Sequence, residues 1–316
     1  MKTVSLVLFP QFQMLAYVLA TETLRVANKC AGTKIFSWQT LCATNCATVA
    51  SNGALVEPDT TDWSFRKASD LVLLCAGYDP LDHVNARVRS YLARAAASGA
   101  TLGGVDTGTI ILAQLGLLNG YRSVLHHEAE AGFREAWPDI AVSDQIYCLD
   151  GPRLTAAGGT ATGDAMLAWM AQVVSPGLAT LVSDGMAHGA IRSPQERQRQ
   201  AATADPVLIA MNDLMTTNFA DPLRIAALCT ALGVSMKQLR RRCALSYAMT
   251  PSARYLGLRL EHGFSLLMNT HLSITDISVA IGFTSVSTFS RAFRCQFSLS
   301  PSQVRKTRYS RVSSIA

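Results

Sequence analysis

Apolar residues follow two different patterns along the chain. Up to about residue 175, short apolar runs alternate with longer stretches of helical period. The run LVLLCAG (71–77) is apolar almost throughout, which is typical of a central strand buried on both faces. Strands separated by helices of this length predict a parallel sheet with helices on both sides, its strands lying in TVSLVLFP, KIFSWQTL, DLVLLCAG and TLGGVD.

The second pattern begins after a polar stretch, residues 186–204, and contains helical periods only. Two segments there share one plan, an apolar helix, a glycine turn and a serine-capped helix: LRIAALCTALGVSMKQLRRRC and ITDISVAIGFTSVSTFSRAF. The sequence therefore predicts a flavodoxin-like α/β domain over 1–185, a linker over 186–204, and an all-α domain with two helix-turn-helix units over 205–310.

The second helix of each segment has one apolar and one polar face. At 100° per residue, Val286, Phe289, Phe293 and Phe297 form a stripe that must pack inward, as do Met236, Leu239 and Cys243 in the earlier segment. The opposite faces present side chains suited to the DNA major groove. There an Arg can donate hydrogen bonds to O6 and N7 of one guanine, and a Ser hydroxyl can donate to or accept from a base edge. The predicted DNA-reading residues are Lys237, Arg240, Arg241, Ser287, Ser290, Arg291 and Arg294.

Charge divides the chain at the same place. Through Ser193 there are 13 Lys and Arg against 16 Asp and Glu, whereas from Pro194 onward there are 15 against 6. The basic part favours a polyanion, most often nucleic acid, although charge alone leaves RNA or a membrane surface open. No apolar run approaches the roughly 20 residues of a membrane helix, so no membrane-spanning helix is predicted. Nucleic acid, and not a membrane, is the expected partner.

Residues from about 205 to 308 resemble the DNA-binding domain of AraC/XylS-type bacterial transcription regulators. The resemblance rests on ALGVSMKQLRRRC, TPSARYLGLRLEHGFSLL and SITDISVAIGFTSVSTFSRAFRCQFSLSPSQVRK. It implies a double helix-turn-helix domain that binds double-stranded operator DNA, with RNA polymerase as a further partner. Two positions depart from the family: Cys243 stands where Phe is usual, and Arg242 is a third consecutive arginine, expected to bind phosphates rather than bases.

A possible active site lies at Gly104–Gly108, the G-x-D-x-G of TLGGVDTGTIILAQ. In hydrolases a strand–turn–helix of this form carries a Ser or Cys nucleophile at its centre. Here the central residue is Asp106. An aspartate can act as a nucleophile when a histidine activates water, and His126 or His127 could do so.

The first part, from Lys2 to about Val174, resembles the PfpI-like, glutamine-amidotransferase-like domain found fused to AraC-type domains. The resemblance rests on ATETLRVAN, ASNG, LLCAG, GGVDTGTIILAQLGLLNGYRSVLHHE and AAGGTATGDAML. It implies that Asp106 replaces the catalytic Cys, that Thr107 replaces the adjacent His, and that Glu22 is the glutamate that contacts the Cys. Such fused regulators often lack both catalytic residues and are often linked to arginine or quaternary-amine catabolism.

Two carboxylates at Asp106 and Glu22 would repel each other unless a cation lay between them. We therefore expect a cationic head group, an amine, guanidinium or quaternary ammonium, in a cleft formed by Glu22, Cys75, Asp106, Thr107 and His126. The alternative is that Asp106 only caps the helix that follows it. The eight cysteines lack paired C-x-x-C spacing, and the His126–Glu128 triplet lacks metal-site spacing. No metal or cofactor is predicted.

These features together predict a cytoplasmic, activating and homodimeric transcription regulator that responds to a small-molecule effector, and not an enzyme. Two alternatives remain open: an amidase- or hydrolase-like enzyme with an appended DNA-binding module, and a DNA-binding protein whose first domain only dimerises.

Overall fold

Residues 1–64, 69–198 and 205–306 are described by the computed structural model. They fall into two units, Met1–Arg199 and Gln200–Ala316. Residues 199–204 of the predicted linker lie outside the described residues.

The first unit is built on a six-stranded sheet. Its strands are β1 (Lys2–Leu8), β2 (Phe36–Cys42), β5 (Leu71–Ala76), β6 (Thr101–Asp106), β7 (Tyr147–Asp150) and β8 (Arg153–Ala156), with a separate antiparallel pair β3 (Thr48–Val49) and β4 (Leu55–Val56). The order is β2-β1-β5-β6-β8-β7. All neighbours pair in parallel except β7 and β8, which are antiparallel. The four predicted strands correspond to β1, β2, β5 and β6.

Helices cover both faces of the sheet, as predicted. They are α1 (Met14–Ala31), α2 (Ala86–Ala97), α3 (Gly108–Gln114), α4 (His127–Ala136), α5 (Ala161–Val173) and α6 (Pro176–Gly185). Alternate residues of the central strand belong to opposite layers: Leu73 packs with α1 and α5, and Leu74 packs with α2 and α3. The predicted α/β fold class is confirmed, and the carboxyl ends of β5, β6 and β8 meet at one edge, where ligands bind in open α/β sheets.

The second unit contains two helix-turn-helix pairs. Its helices are α7 (Pro206–Thr216), α8 (Ile225–Ala231), α9 (Met236–Tyr247), α10 (Pro251–Asn269), α11 (Ile274–Ala280) and α12 (Val286–Phe297). Ser235 and Ser285 accept backbone hydrogen bonds at the starts of α9 and α12. Gly233 and Gly282 turn the chain at positive φ, 64° and 72°. Within the described residues, no helix is both long and apolar enough to span a membrane.

Candidate effector site and DNA-binding helices

The G-x-D-x-G turn forms a tight elbow between β6 and α3. Asp106 ends β6 with φ of 57°, a left-handed conformation that is uncommon for a residue with a side chain. The turn needs glycine at positions 104 and 108, because a side chain at either position would clash with nearby backbone atoms. A Cβ on Gly104 would lie 2.5 Å from the Thr109 nitrogen, and one on Gly108 would lie 2.3 Å from the Leu74 carbonyl oxygen.

Asp106 faces a second glycine turn and a glutamine that the sequence analysis did not identify. A Cβ on Gly158 would lie 3.1 Å from the Asp106 Cβ and 3.1 Å from Gln13 Oε1. Gln13 Oε1 accepts a hydrogen bond from the Gly159 N–H. Gln13, immediately before α1, and Gly158, after β8, therefore adjoin Asp106. The glycine pair is visible in AAGGTATG, but no sequence signal distinguishes Gln13 from other polar residues before a helix.

The Asp106 carboxyl lies in an environment that disfavours its negative charge. Burial, followed by the negative charge of Glu128, raises the pKa of Asp106 to about 7, while the Thr107 N–H acts in the opposite direction. In the part of the chain that the structure describes, no Lys or Arg forms an ion pair with Asp106. A cation placed beside Asp106 and Glu128 would relieve this repulsion.

Glu22 is not the neighbouring carboxylate, which corrects the expectation based on resemblance. It lies eight residues into α1, about 12 Å along the axis from Met14 at 1.5 Å per residue, whereas Gln13 at the helix start adjoins Asp106. Its carboxylate binds Arg25 at 2.7 Å on an exposed part of the helix, and this contact lowers the pKa of Glu22. The carboxylate whose charge raises the pKa of Asp106 is instead Glu128, an exposed residue in the first turn of α4.

Cys75 and Thr107 are less available to a ligand than predicted. Cys75 is fully buried in β5, and burial followed by the charge of Asp106 raises the pKa of its thiol to about 12. The Cys75 side chain points to the face of the sheet that α1 and α5 cover. Cys75 is therefore a core residue and cannot contact a ligand in this structure. The Thr107 hydroxyl donates to the Gly77 carbonyl and so links the elbow to the end of β5.

His126 caps the start of α4, two residues before Glu128. Its Nδ1 accepts a weak hydrogen bond from the Glu128 N–H at 3.4 Å, and burial lowers the pKa of its imidazole. His126, His127 and Glu128 bring three ligand atoms within 4.8 Å of one another. All three come from consecutive residues and Glu128 is exposed, unlike the converging four-ligand sets of structural zinc sites. A neutral imidazole here leaves the cleft without a competing positive charge.

The predicted DNA-reading side chains lie on the outer faces of α9 and α12. On α12, Phe289 and Phe293 are fully buried, while Ser287, Arg291 and Arg294 are exposed and Ser290 is half-buried. On α9, Leu239 and Cys243 are buried, while Lys237, Arg240 and Arg241 are exposed. Cys243 packs its sulfur 3.7 Å from that of Met211, so the smaller residue is accommodated by a neighbouring methionine.

Arg242 serves the fold instead of being left free for phosphates as expected. Its guanidinium pairs with Asp205, the residue that caps α7, and this contact lowers the pKa of Asp205. The turn between α11 and α12 is also held by an arginine. Arg259 of α10 donates to the carbonyls of Ile281 and Gly282, each at 2.7 Å. These contacts fix the start of α7 to α9 and the second helix-turn-helix to α10.

Comparison with known proteins agrees with this division. A family model described as a helix-turn-helix domain matches residues 228–307. The HTH-type transcriptional regulator CdhR of Pseudomonas aeruginosa is 40% identical over 303 residues, covering 94% of this chain and 90% of that protein. The chain belongs to the AraC-type family of helix-turn-helix transcription regulators.

Solved structures resemble the first unit in fold. The crystal structure of an AraC family transcriptional regulator from Pseudomonas putida has a TM-score of 0.54 and 24% identity, covering 59% of this chain and all of that one. A ThiJ/PfpI family protein from Pseudomonas syringae has a TM-score of 0.53 and 17% identity, covering 68% of this chain and 86% of that one. At these identities the likeness concerns the fold alone. The family member is thus an AraC-type DNA-binding regulator with a PfpI-like first unit.

Proposed function

We propose that this regulator responds to a small cationic metabolite that binds beside Asp106. The observation that carries the proposal is the position of Asp106: it projects from a strained elbow at the sheet edge, close to Gln13 and Gly158 and within the field of Glu128. A buried carboxyl in the field of a second, exposed carboxylate favours a bound cation. An amine, guanidinium or quaternary ammonium fits this requirement.

The same geometry argues against a hydrolytic role for the first unit. A carboxyl group with a pKa near 7 is about half protonated at neutral pH and is then a poor nucleophile. The nearby thiol, Cys75, is buried and protonated. We infer that Asp106 recognises a ligand where enzymes of this fold carry an attacking group.

Chemically matched pairs of compounds test the effector class. Thermal unfolding of the whole chain is measured with choline against its neutral isostere 3,3-dimethylbutanol, and with arginine against citrulline. A specific effector stabilises the native state by mass action, so the cationic member of at least one pair should raise the unfolding temperature of the wild type but not of Asp106→Ala. Stabilisation by the neutral members alone would contradict the proposal.

On the DNA side, we propose that Lys237, Arg240 and Arg241 of α9, and Ser287, Ser290, Arg291 and Arg294 of α12, contact operator DNA. Their support is their place on the second helix of each helix-turn-helix unit, the helix that enters the major groove, where all are exposed except the half-buried Ser290. We further propose that the protein acts as a homodimer and as an activator that contacts RNA polymerase. Sedimentation with and without operator, and transcription from a bound promoter in vitro, test these two statements.

A further inference from the structure

One side chain, that of Gln198, holds the chain to the first unit just before the residues that lead to the DNA-binding unit. Gln198 Oε1 accepts from the His127 N–H at 2.8 Å. Its Nε2 donates to the carbonyls of Leu125 at 2.8 Å and Gln145 at 2.9 Å. The Gln198 N–H also donates to the Asp144 carbonyl at 2.8 Å. We name these four hydrogen bonds the Gln198 clamp.

The clamp encloses one residue of the candidate effector site. Leu125 and His127 flank His126, so the Gln198 amide binds the backbone on both sides of that histidine. Glu128, whose charge acts on Asp106, is the next residue but one after His126. The segment that carries the effector-facing groups is therefore also the segment that anchors the end of the first unit.

A second anchor lies upstream and is stronger. The fully buried Asp164 binds the Arg192 guanidinium at 2.9 and 2.7 Å, the Arg192 N–H at 2.9 Å and His188 Nε2 at 2.8 Å. Arg192 also donates to Thr160. Between the two anchors, the Ile146 N–H donates to the Glu196 carbonyl at 2.9 Å. Arg197 and Gln145 form an isolated antiparallel β-bridge through their backbones. Without the clamp, the contacts of Glu196, Arg197 and Arg192 would remain and Gln198 alone would be released.

We propose that effector binding is transmitted to the DNA-binding unit by opening of the Gln198 clamp; this inference rests on the proposed effector site. The amide is satisfied only while the Leu125 carbonyl and the His127 N–H keep their present spacing. A cation that draws Glu128 and His126 toward Asp106 shifts that segment and breaks the clamp. The chain that leads to the DNA-binding unit then loses its last described hydrogen bonds to the first unit, and this changes how firmly the first unit holds it.

The test uses the whole chain and an operator selected from random duplex DNA. Gln198→Ala removes the three side-chain bonds, and Gln198→Glu keeps the size but cannot donate to the two carbonyls. Gln195→Ala, an exposed glutamine of the same segment, is the matched control. Hydrogen exchange at His127 should accelerate in Gln198→Ala, which removes the acceptor of that N–H, and should stay at the wild-type rate in the control. Thermal unfolding of each variant confirms that the fold is kept.

The functional readout is transcription from a reporter carrying the selected operator, without added effector. Both Gln198 variants should change the basal output by a factor within the range of about 5 to 150 typical of allosteric coupling, in the direction that choline or arginine, whichever stabilises the wild type, produces in the wild type. The control should match the wild type. Basal output of wild-type level in Gln198→Ala, despite accelerated exchange at His127, would overturn the inference.

A double variant separates this inference from the proposed effector site. Asp106→Asn combined with Gln198→Ala should keep the altered basal output, because the clamp acts after the site. If Asp106→Asn alone responds normally to effector, the effector site is wrong whatever the clamp does. If Asp106→Asn abolishes the response and the double variant returns to wild-type basal output, the clamp is not the transmitting element.

Discussion

At the scale of single residues, the molecule is defined by an aspartate that is costly to ionise. Asp106 has positive φ between two closely packed glycines, and its pKa is raised to about 7 by burial and by Glu128. Burial lowers the pKa of His126, so its imidazole is neutral near neutral pH and adds no positive charge to the cleft. The ionisation state of Asp106 therefore controls how well the cleft attracts a cation near neutral pH.

The first prediction concerns the pH dependence of effector binding. For a quaternary ammonium ligand, whose charge does not titrate, affinity should rise about tenfold between pH 6 and pH 8 as Asp106 loses its proton. Isothermal titration calorimetry at several pH values measures this. Asp106→Asn should bind weakly with a flat pH profile; an unchanged profile in that variant would assign the titration to another group.

The second prediction concerns stability without ligand. An acid whose pKa is raised in the folded state keeps its proton between about pH 4 and pH 7 while the unfolded chain releases it, so stability falls as pH rises through that window. Asp106→Asn should therefore raise the free energy of unfolding at pH 8, by up to about 4 kcal/mol, and should have little effect at pH 4. Chemical denaturation at both pH values measures the difference.

The control for that prediction is Asp139→Asn, which changes an exposed aspartate of the same unit. It should leave stability nearly unchanged at both pH values. A loss of stability in Asp106→Asn at pH 8 would show that the native state depends on the Asp106 charge and that the sign of the argument is wrong.

At the scale of elements, the two helix-turn-helix pairs follow one plan but differ in how tightly their turns pack. A Cβ on Gly233 would meet nothing within 4 Å, whereas one on Gly282 would lie 2.4 Å from the Phe219 carbonyl oxygen and 2.6 Å from Pro222. Both glycines have positive φ. The second turn is thus pressed against the loop that joins α7 to α8.

The third prediction follows from this difference. Gly233→Ala should cost only the left-handed backbone penalty, about 1 kcal/mol. Gly282→Ala should cost about 1–3 kcal/mol more because it also overpacks the turn. Unfolding of the second unit, followed by circular dichroism in denaturant, compares the two variants. Equal costs would mean that the loop yields freely to the added methyl group.

The fourth prediction concerns base reading by α12. Arg291→Ala should reduce discrimination at one operator position by about 1–3 kcal/mol. Arg89→Ala removes the same charge from an exposed site in the first unit and is the control. Competition binding against operators with single base changes measures the effect. Undiminished discrimination in Arg291→Ala would remove Arg291 from the base-reading set.

The elements were largely predictable from the sequence, and the side-chain partnerships were not. Strand and helix periods, serine caps and glycine turns are local signals, and they located β1, β5, β6 and the helices of the second unit. The β7–β8 hairpin was missed although Asp150-Gly151 is a turn signal. Glu22 and Arg242 were misassigned because their real partners, Arg25 and Asp205, depend on which helix face or neighbouring cap each side chain meets.

At the scale of the whole molecule, an α/β unit of PfpI-like fold is joined to a basic pair of helix-turn-helix motifs. The family assignment establishes the DNA-binding regulator. The proposed division of labour gives the first unit a cation site at Asp106, the second unit operator reading, and residues 192–198 the connection between them. Each part can be altered by a single substitution without removing the others.

The most direct measurement is the operator affinity of the whole chain with and without a cationic compound, in the wild type and in Asp106→Asn. Fluorescence anisotropy with the selected operator gives both values, using choline with 3,3-dimethylbutanol and arginine with citrulline. We predict that one cation, and not its neutral partner, changes operator affinity at least about fivefold in the wild type, and that Asp106→Asn binds operator but shows no such change. A full cation response in Asp106→Asn, or equal responses to charged and neutral partners, would contradict the proposal.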